Sequence, residues 1–143
     1  MKGKSRAVVA AGLGSLLSLS ISASAPAAVT SLDIGSGTIE QKGLILTVPL
    51  TFTCDAGALY NAYVTVRQIA QQRTITQGTG STNGSCTGDT QIATVRVFPN
   101  PKPFKKGTAL AEASIDTYCF FPELGGYDYC GSAIVRDKEI RLR

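Results

Sequence analysis

The chain has 143 residues, a formal net charge of +4, four cysteines, and neither histidine nor tryptophan. That length favours one domain, large enough to bury a core but small for a catalytic barrel or a two-domain cleft enzyme. Without histidine there is no proton shuttle titrating near neutral pH, no customary base for a Ser or Cys nucleophile, and no imidazole ligand for zinc.

The chain opens on Lys2, Lys4 and Arg6, continues through an apolar or small run from Ala7 to Ile21, and relaxes into Ser22 to Ala28. A charged start, an apolar middle and a small-residue end make a secretory signal peptide. The run is too short, and too rich in Ser and Gly, for a membrane span. Cleavage after Ala27 puts Ala25 and Ala27 in the small-residue slots, so residues 1–27 are expected to be removed and 28–143 to form a single secreted domain. That domain carries eleven basic and ten acidic residues, a net charge of +1. The basicity belongs to the leader, and nucleic acid is not an expected partner.

Export sets how Cys54, Cys86, Cys119 and Cys130 are read. An even set in an oxidising compartment argues for two disulfides. Three pairings are possible; Cys54 with Cys86 and Cys119 with Cys130 is preferred, because the latter two flank a Gly-Gly turn and can face each other across one hairpin. No C-x-x-C pair is present, so neither a structural metal nor any other cofactor is expected.

Beyond the leader the dominant period is two. A short first strand is predicted near Ser31 to Ile34. Leu44, Leu46, Val48, Leu50 and Phe52 alternate with a mostly Thr face, a half-buried strand ending at Cys54. Pro49 lies on the outward side and has no N–H to donate, which predicts an edge or a bulge there. Tyr60 to Ala70 and a shorter run from Gln71 to Gln77 follow. Gly78 to Ser85 has the composition of a loop. Ile92 to Phe98 alternates again and is expected to stop at Pro99, where three prolines in five residues oppose further pairing. Thr108 to Phe121 contains good helix formers, yet Ala109, Ala111, Ala113, Ile115 and Thr117 share one period-two face, so a strand is predicted. Ser132 to Arg143, with alternating charges suited to solvent, supplies the last. The result is all-β: an immunoglobulin-like Greek-key sandwich of about seven strands with two disulfides.

Three segments carry a resemblance: Thr51-Phe52-Thr53-Cys54-Asp55-Ala56-Gly57, the Gly-rich stretch into Cys86-Thr87-Gly88, and Phe104 to Ala111. Over about residues 33–120 the chain resembles small secreted actinobacterial β-sandwich proteins of unknown function. The resemblance implies a β-sandwich and brings no catalytic residues. In size and disulfide number the domain is also similar to actinobacterial chromoproteins, amylase inhibitors and subtilisin inhibitors. The Trp-Arg-Tyr triplet of the amylase inhibitors and a cysteine-flanked reactive loop of the subtilisin-inhibitor type are absent.

The most pointed feature runs from Tyr118 to Cys130. Tyr118, Phe120, Phe121, Tyr127 and Tyr129, five of the ten aromatic residues, lie in a segment that the expected disulfide closes. Rigid aromatic area on a constrained loop loses little entropy on docking. The competing reading is local packing, with Tyr118 and Tyr129 beside the disulfide and Phe120 or Phe121 over the open end of the sandwich. Lys102, Lys105 and Lys106 either meet an anionic polymer or lipid surface or form a solvated loop guarding a sheet edge. Asp116, Glu123 and Asp128 lie near the aromatic segment, but their spacing singles out no acid and base, and Glu123 and Asp128 lack the alternation of a calcium loop.

The expectation is a secreted, disulfide-bonded, non-catalytic binding module, monomeric, whose partner is an extracellular protein, a glycan or a cell-wall component. One alternative is an inhibitor of a secreted hydrolase, acting through the Cys119 to Cys130 loop. A more distant one is a carboxylate-based glycoside hydrolase.

Overall fold

A computed structural model describes residues 28–69 and 73–143. The expected leader lies outside them. Among the described residues eight strands form: β1 (Val29–Ile34), β2 (Thr38–Glu40), β3 (Ile45–Cys54), β4 (Leu59–Ile69), β5 (Ile75–Ser85), β6 (Thr90–Asn100), β7 (Gly107–Phe121) and β8 (Gly126–Leu142). Alternation in β3 does what its sequence demands. Leu46, Val48, Leu50 and Phe52 are fully buried, and Thr47, Thr51 and Thr53 are not. Leu44, expected to head that face, is exposed, because a 3-10 turn over Gln41–Gly43 delays the strand and buries Ile45 instead.

The strands make one antiparallel sheet in the order β1-β3-β6-β5-β4-β7-β8, with β2 continuing along the same side of β3 as β1. Counting β1 and β2 as one broken strand leaves an odd number of staves, so the two ends of the sheet can only meet in parallel. They do, through a parallel bridge of Gly37 with Leu142, in which Gly37 N–H donates to Arg141 O (2.9 Å) and Arg143 N–H to Gly37 O (3.0 Å). Lys138 fastens the same seam, donating from Nζ to the Asp33 carboxylate and to Ile34 O (2.7 Å). The expected pair of separate, face-to-face sheets is therefore corrected to a nearly closed, barrel-like sheet. Closure satisfies edge groups that two open sheets would leave unpaired.

Pro49 shows how that edge strand breaks. Pro49 O accepts from Gly35 N–H at 2.9 Å, so the side of Pro49 lacking an N–H faces the Gly35 to Gly37 interruption between β1 and β2. No ladder bond is lost, and a Cβ on Gly35 would lie 2.7 Å from the proline ring. The predicted irregularity exists, but in the neighbouring strand.

Two boundaries are corrected. Gly78 to Ser85, expected as a loop, is most of β5 and pairs with β4 along its whole length. Its inward positions are Thr76, Gly78, Gly80, Thr82 and Gly84, so no apolar stripe marks it. A Cβ on Gly80 would lie 2.0 Å from Arg96 O, and one on Gly84 would lie 2.7 Å from the Tyr60 hydroxyl. Glycine here permits close approach of β6 and of a ring. Pro99 and Asn100, expected beyond the strand, pair with Gly78 and Gln77.

The connection from β6 to β7 closes one end of the barrel. Phe104 is buried, and its N–H donates to Gly43 O (3.0 Å). Buried Gln68 grips the next residue from both sides, donating to Lys105 O (2.6 Å) and accepting from Lys105 N–H (2.8 Å). At the opposite end Phe52 and Tyr60 meet edge to face, with centroids 4.8 Å apart. No helix among the described residues is long and apolar enough to cross a membrane.

Candidate functional site

Both disulfides form in the preferred pairing, Cys54 with Cys86 and Cys119 with Cys130. The second lies in the β7–β8 hairpin, which outruns its neighbours: β4 stops pairing with β7 at Leu59 opposite Tyr118. Beyond that row the two strands pair only with each other, from Cys119 opposite Asp128 to Phe121 opposite Gly126. A register shift at Cys130 inserts one residue between the rows Thr117–Gly131 and Tyr118–Tyr129. Buried Thr117 covers this bulge, its Oγ1 donating to Gly131 O at 2.9 Å.

Alternation then sorts the five candidate aromatics. In β7 the odd residues from Ala109 to Thr117 point into the core, so Tyr118 and Phe120 point outward. Their partners Tyr129 and Tyr127 share that face. The result is a four-ring ladder in two edge-to-face pairs, Tyr118 with Tyr129 at 6.2 Å and Phe120 with Tyr127 at 5.5 Å. Three rings are about half exposed: Phe120 53%, Tyr127 52% and Tyr129 55%. Phe121 belongs on the other side of the hairpin and is not part of the ladder. None of the rings fills an end of the barrel; the ring that does so is Phe104, which the sequence pattern did not single out.

Sequence reasoning missed two exposed apolar residues nearby: Leu59, which extends the ladder beside Tyr118 on β4, and Leu124, at the tip. Leu59 was readable in hindsight, being on the outward parity of β4. The tip itself is folded, Leu124 N–H donating to Phe121 O (3.0 Å) and Gly125 N–H to Pro122 O (3.2 Å). Cross-strand aromatic pairs add about 0.5–1 kcal/mol each to a hairpin, so the ladder holds itself together without being buried.

The carboxylates near the ladder do not converge. Asp116 faces outward opposite Ser132, Glu123 is in the turn, and Asp128 lies opposite Cys119, its Oδ1 accepting from Tyr129 N–H at 2.8 Å. Among the described residues no three potential ligands cluster to hold a metal. The hairpin from Tyr118 to Cys130 contains Glu123 and Asp128 and no Lys or Arg, so its rim is acidic. Lys102, Lys105 and Lys106 are exposed on the β6–β7 connection, at the opposite end of the barrel from this hairpin.

No match was found among protein-family models, curated proteins or solved structures.

Proposed function

We propose that the chain is a secreted, non-catalytic binding module that presents the β7–β8 hairpin to an extracellular protein partner. The observation that carries this reading is the ladder itself: four rings on one outward face of a disulfide-closed hairpin, three of them half exposed. Such rings offer large contact area with few rotatable bonds, so docking costs little side-chain entropy. Their edge-to-face tilt argues against a flat platform for stacking on a polysaccharide sheet and favours a contoured protein surface. The acidic rim favours a partner whose apolar centre is edged by Lys or Arg, the latter also suited to the tyrosine faces.

Compartment and architecture enter the same reading. Two disulfides favour an oxidising environment, and the leader-like first 27 residues point to secretion. The strand order supports an immunoglobulin-like Greek key, with the broken first strand, β3, β6 and β5 in the places of A, B, E and D, and β4, β7 and β8 in those of C, F and G. The alternative of hydrolase inhibition is less well supported, since consecutive turns at the tip do not offer an extended, substrate-like segment.

The test uses the extracellular fraction of the source cells as prey, with the protein and a Phe120→Ala/Tyr127→Ala variant as paired baits. One partner retained by the protein and lost by the variant, with the variant still folding and unfolding cooperatively, supports the proposal. A variant that unfolds several degrees lower, with no partner captured by either bait, assigns the rings to packing.

A further inference from the structure

A concavity lies away from the hairpin, on the outer face of β4, β5 and β6. The ladder between β5 and β6 covers only Gln77 to Thr79, and over these strands and β4 lies a groove of about 660 Å³. Tyr63 and Phe98 line it, 47% and 57% exposed. They stand on β4 and β6 with β5 between them, two strand spacings across and one side-chain row along, roughly 12 Å apart by sheet geometry. Between the rings lie the hydroxyls of Thr79 and Ser81, those of Thr65 and Thr94 share the lining, and Arg96 supplies its one charge. Among the described residues Arg96 has no ion-pair partner within 4.0 Å. The nearest acid in the register is Glu40, whose carboxylate accepts from Thr47 (2.8 Å), the residue opposite Arg96 on β3.

We propose that this groove binds a short anionic oligosaccharide. Hydroxyls both donate and accept, which matches sugar hydroxyls that do the same. Exposed ring faces cover the C–H faces of pyranose rings, and two rings set apart on a diagonal fit a chain of sugars rather than one. An unpaired guanidinium in a groove without acids selects a carboxylate or phosphate on that chain, which it can grip with two parallel hydrogen bonds. This site is independent of the hairpin. Its ligand is held by polar complementarity along a groove, whereas the hairpin offers an apolar ladder with an acidic rim.

The experiment measures retention of the whole protein in affinity gels at 0.15 M salt. The gels contain polygalacturonate, a phosphomannan, neutral dextran, or inorganic polyphosphate. Retention by polygalacturonate identifies a carboxylated chain, and retention by phosphomannan a phosphorylated one. In either case dextran retains at least tenfold less. Arg96→Gln, Phe98→Ala and Tyr63→Ala each weaken retention about tenfold or more, while Phe120→Ala/Tyr127→Ala leaves it unchanged. If Phe98→Ala lowers the unfolding temperature, Phe98→Leu replaces it, keeping apolar area without a ring face. Equal retention by polyphosphate with silent ring variants overturns the proposal, because charge alone then suffices. Retention by none of the polymers overturns it too.

Discussion

The two disulfides sit at the same end of the barrel in very different surroundings. Cys54 and Cys86 are buried, and the backbone around them is tied on every side: Cys86 N–H donates to Ala58 O (2.7 Å), Gly57 N–H to Cys86 O (3.1 Å) and Gly88 N–H to Cys54 O (3.1 Å). Cys119 and Cys130 are partly buried, Cys119 against the margin of the core, in a hairpin that outruns the last row of β4. The first bond joins the end of β3 to the β5–β6 connection and so belongs to the core. The second joins two strands that already pair, and steadies a projecting surface. The same covalent device thus serves stability in one place and presentation in the other.

The largest expected effect lies on the core side of that contrast. Phe104→Ala should cost about 3–5 kcal/mol, as for other buried aromatic truncations, read from urea unfolding; a loss under about 1 kcal/mol would mean the end plug is dispensable. Replacing Cys54 and Cys86 by Ala should cost about 4 kcal/mol from loop closure alone and more from lost packing, against about 3 kcal/mol for Cys119 and Cys130. Equal losses in the two double variants would erase the distinction. Gln68→Ala, which leaves both Lys105 backbone groups without their partner, should cost about 1–3 kcal/mol, visible as faster hydrogen exchange of the Lys105 amide. On the hairpin side, Phe120→Ala should change stability by no more than about 1 kcal/mol while abolishing partner capture.

The smallest effect is electrostatic and belongs to the seam. The Lys138 ammonium hydrogen-bonded to Asp33 holds that carboxyl below its ordinary value of 3.8, outweighing a small desolvation that acts the other way. A carboxyl with a depressed folded pKa contributes stability that is present above its unfolded pKa and is lost as pH falls through the folded one. Asp33→Asn should therefore flatten the acid limb of the stability curve below about pH 4. Because the pair is solvent-exposed, the change should stay under about 1 kcal/mol. An unchanged acid limb in the variant would show that Lys138 acts through Ile34 O alone.

Much of the fold was legible because burial imposes a period that composition cannot hide. The alternation in β3 and β7 marked their inward residues, apart from Leu44, and Ala109 to Thr117 was readable as a strand despite its helix-forming alanines. β5 was not legible, since its inward side is Thr and Gly. What those positions require is absence of bulk against Arg96 O and the Tyr60 ring, and that requirement comes from other strands. The candidate site was legible as a cluster but not as a surface. Phe121 and Phe120 are adjacent in sequence and were indistinguishable there, yet alternation puts them on opposite sides of the hairpin once its register is known. Lys138 read as one of several solvated charges, and only closure of the sheet brought Asp33 and Ile34 O to it.

By itself the sequence determined an all-β chain and its main strands and favoured one pairing of its cysteines, because these follow from local periodicity and from a hairpin-length spacing. Only the tertiary structure decided that the sheet closes on itself and that Phe104 fills one end. It also decided that the aromatic ladder stands outside the core. Each of those depends on which strands become neighbours, and neighbours far apart in sequence leave no periodic trace in either partner alone.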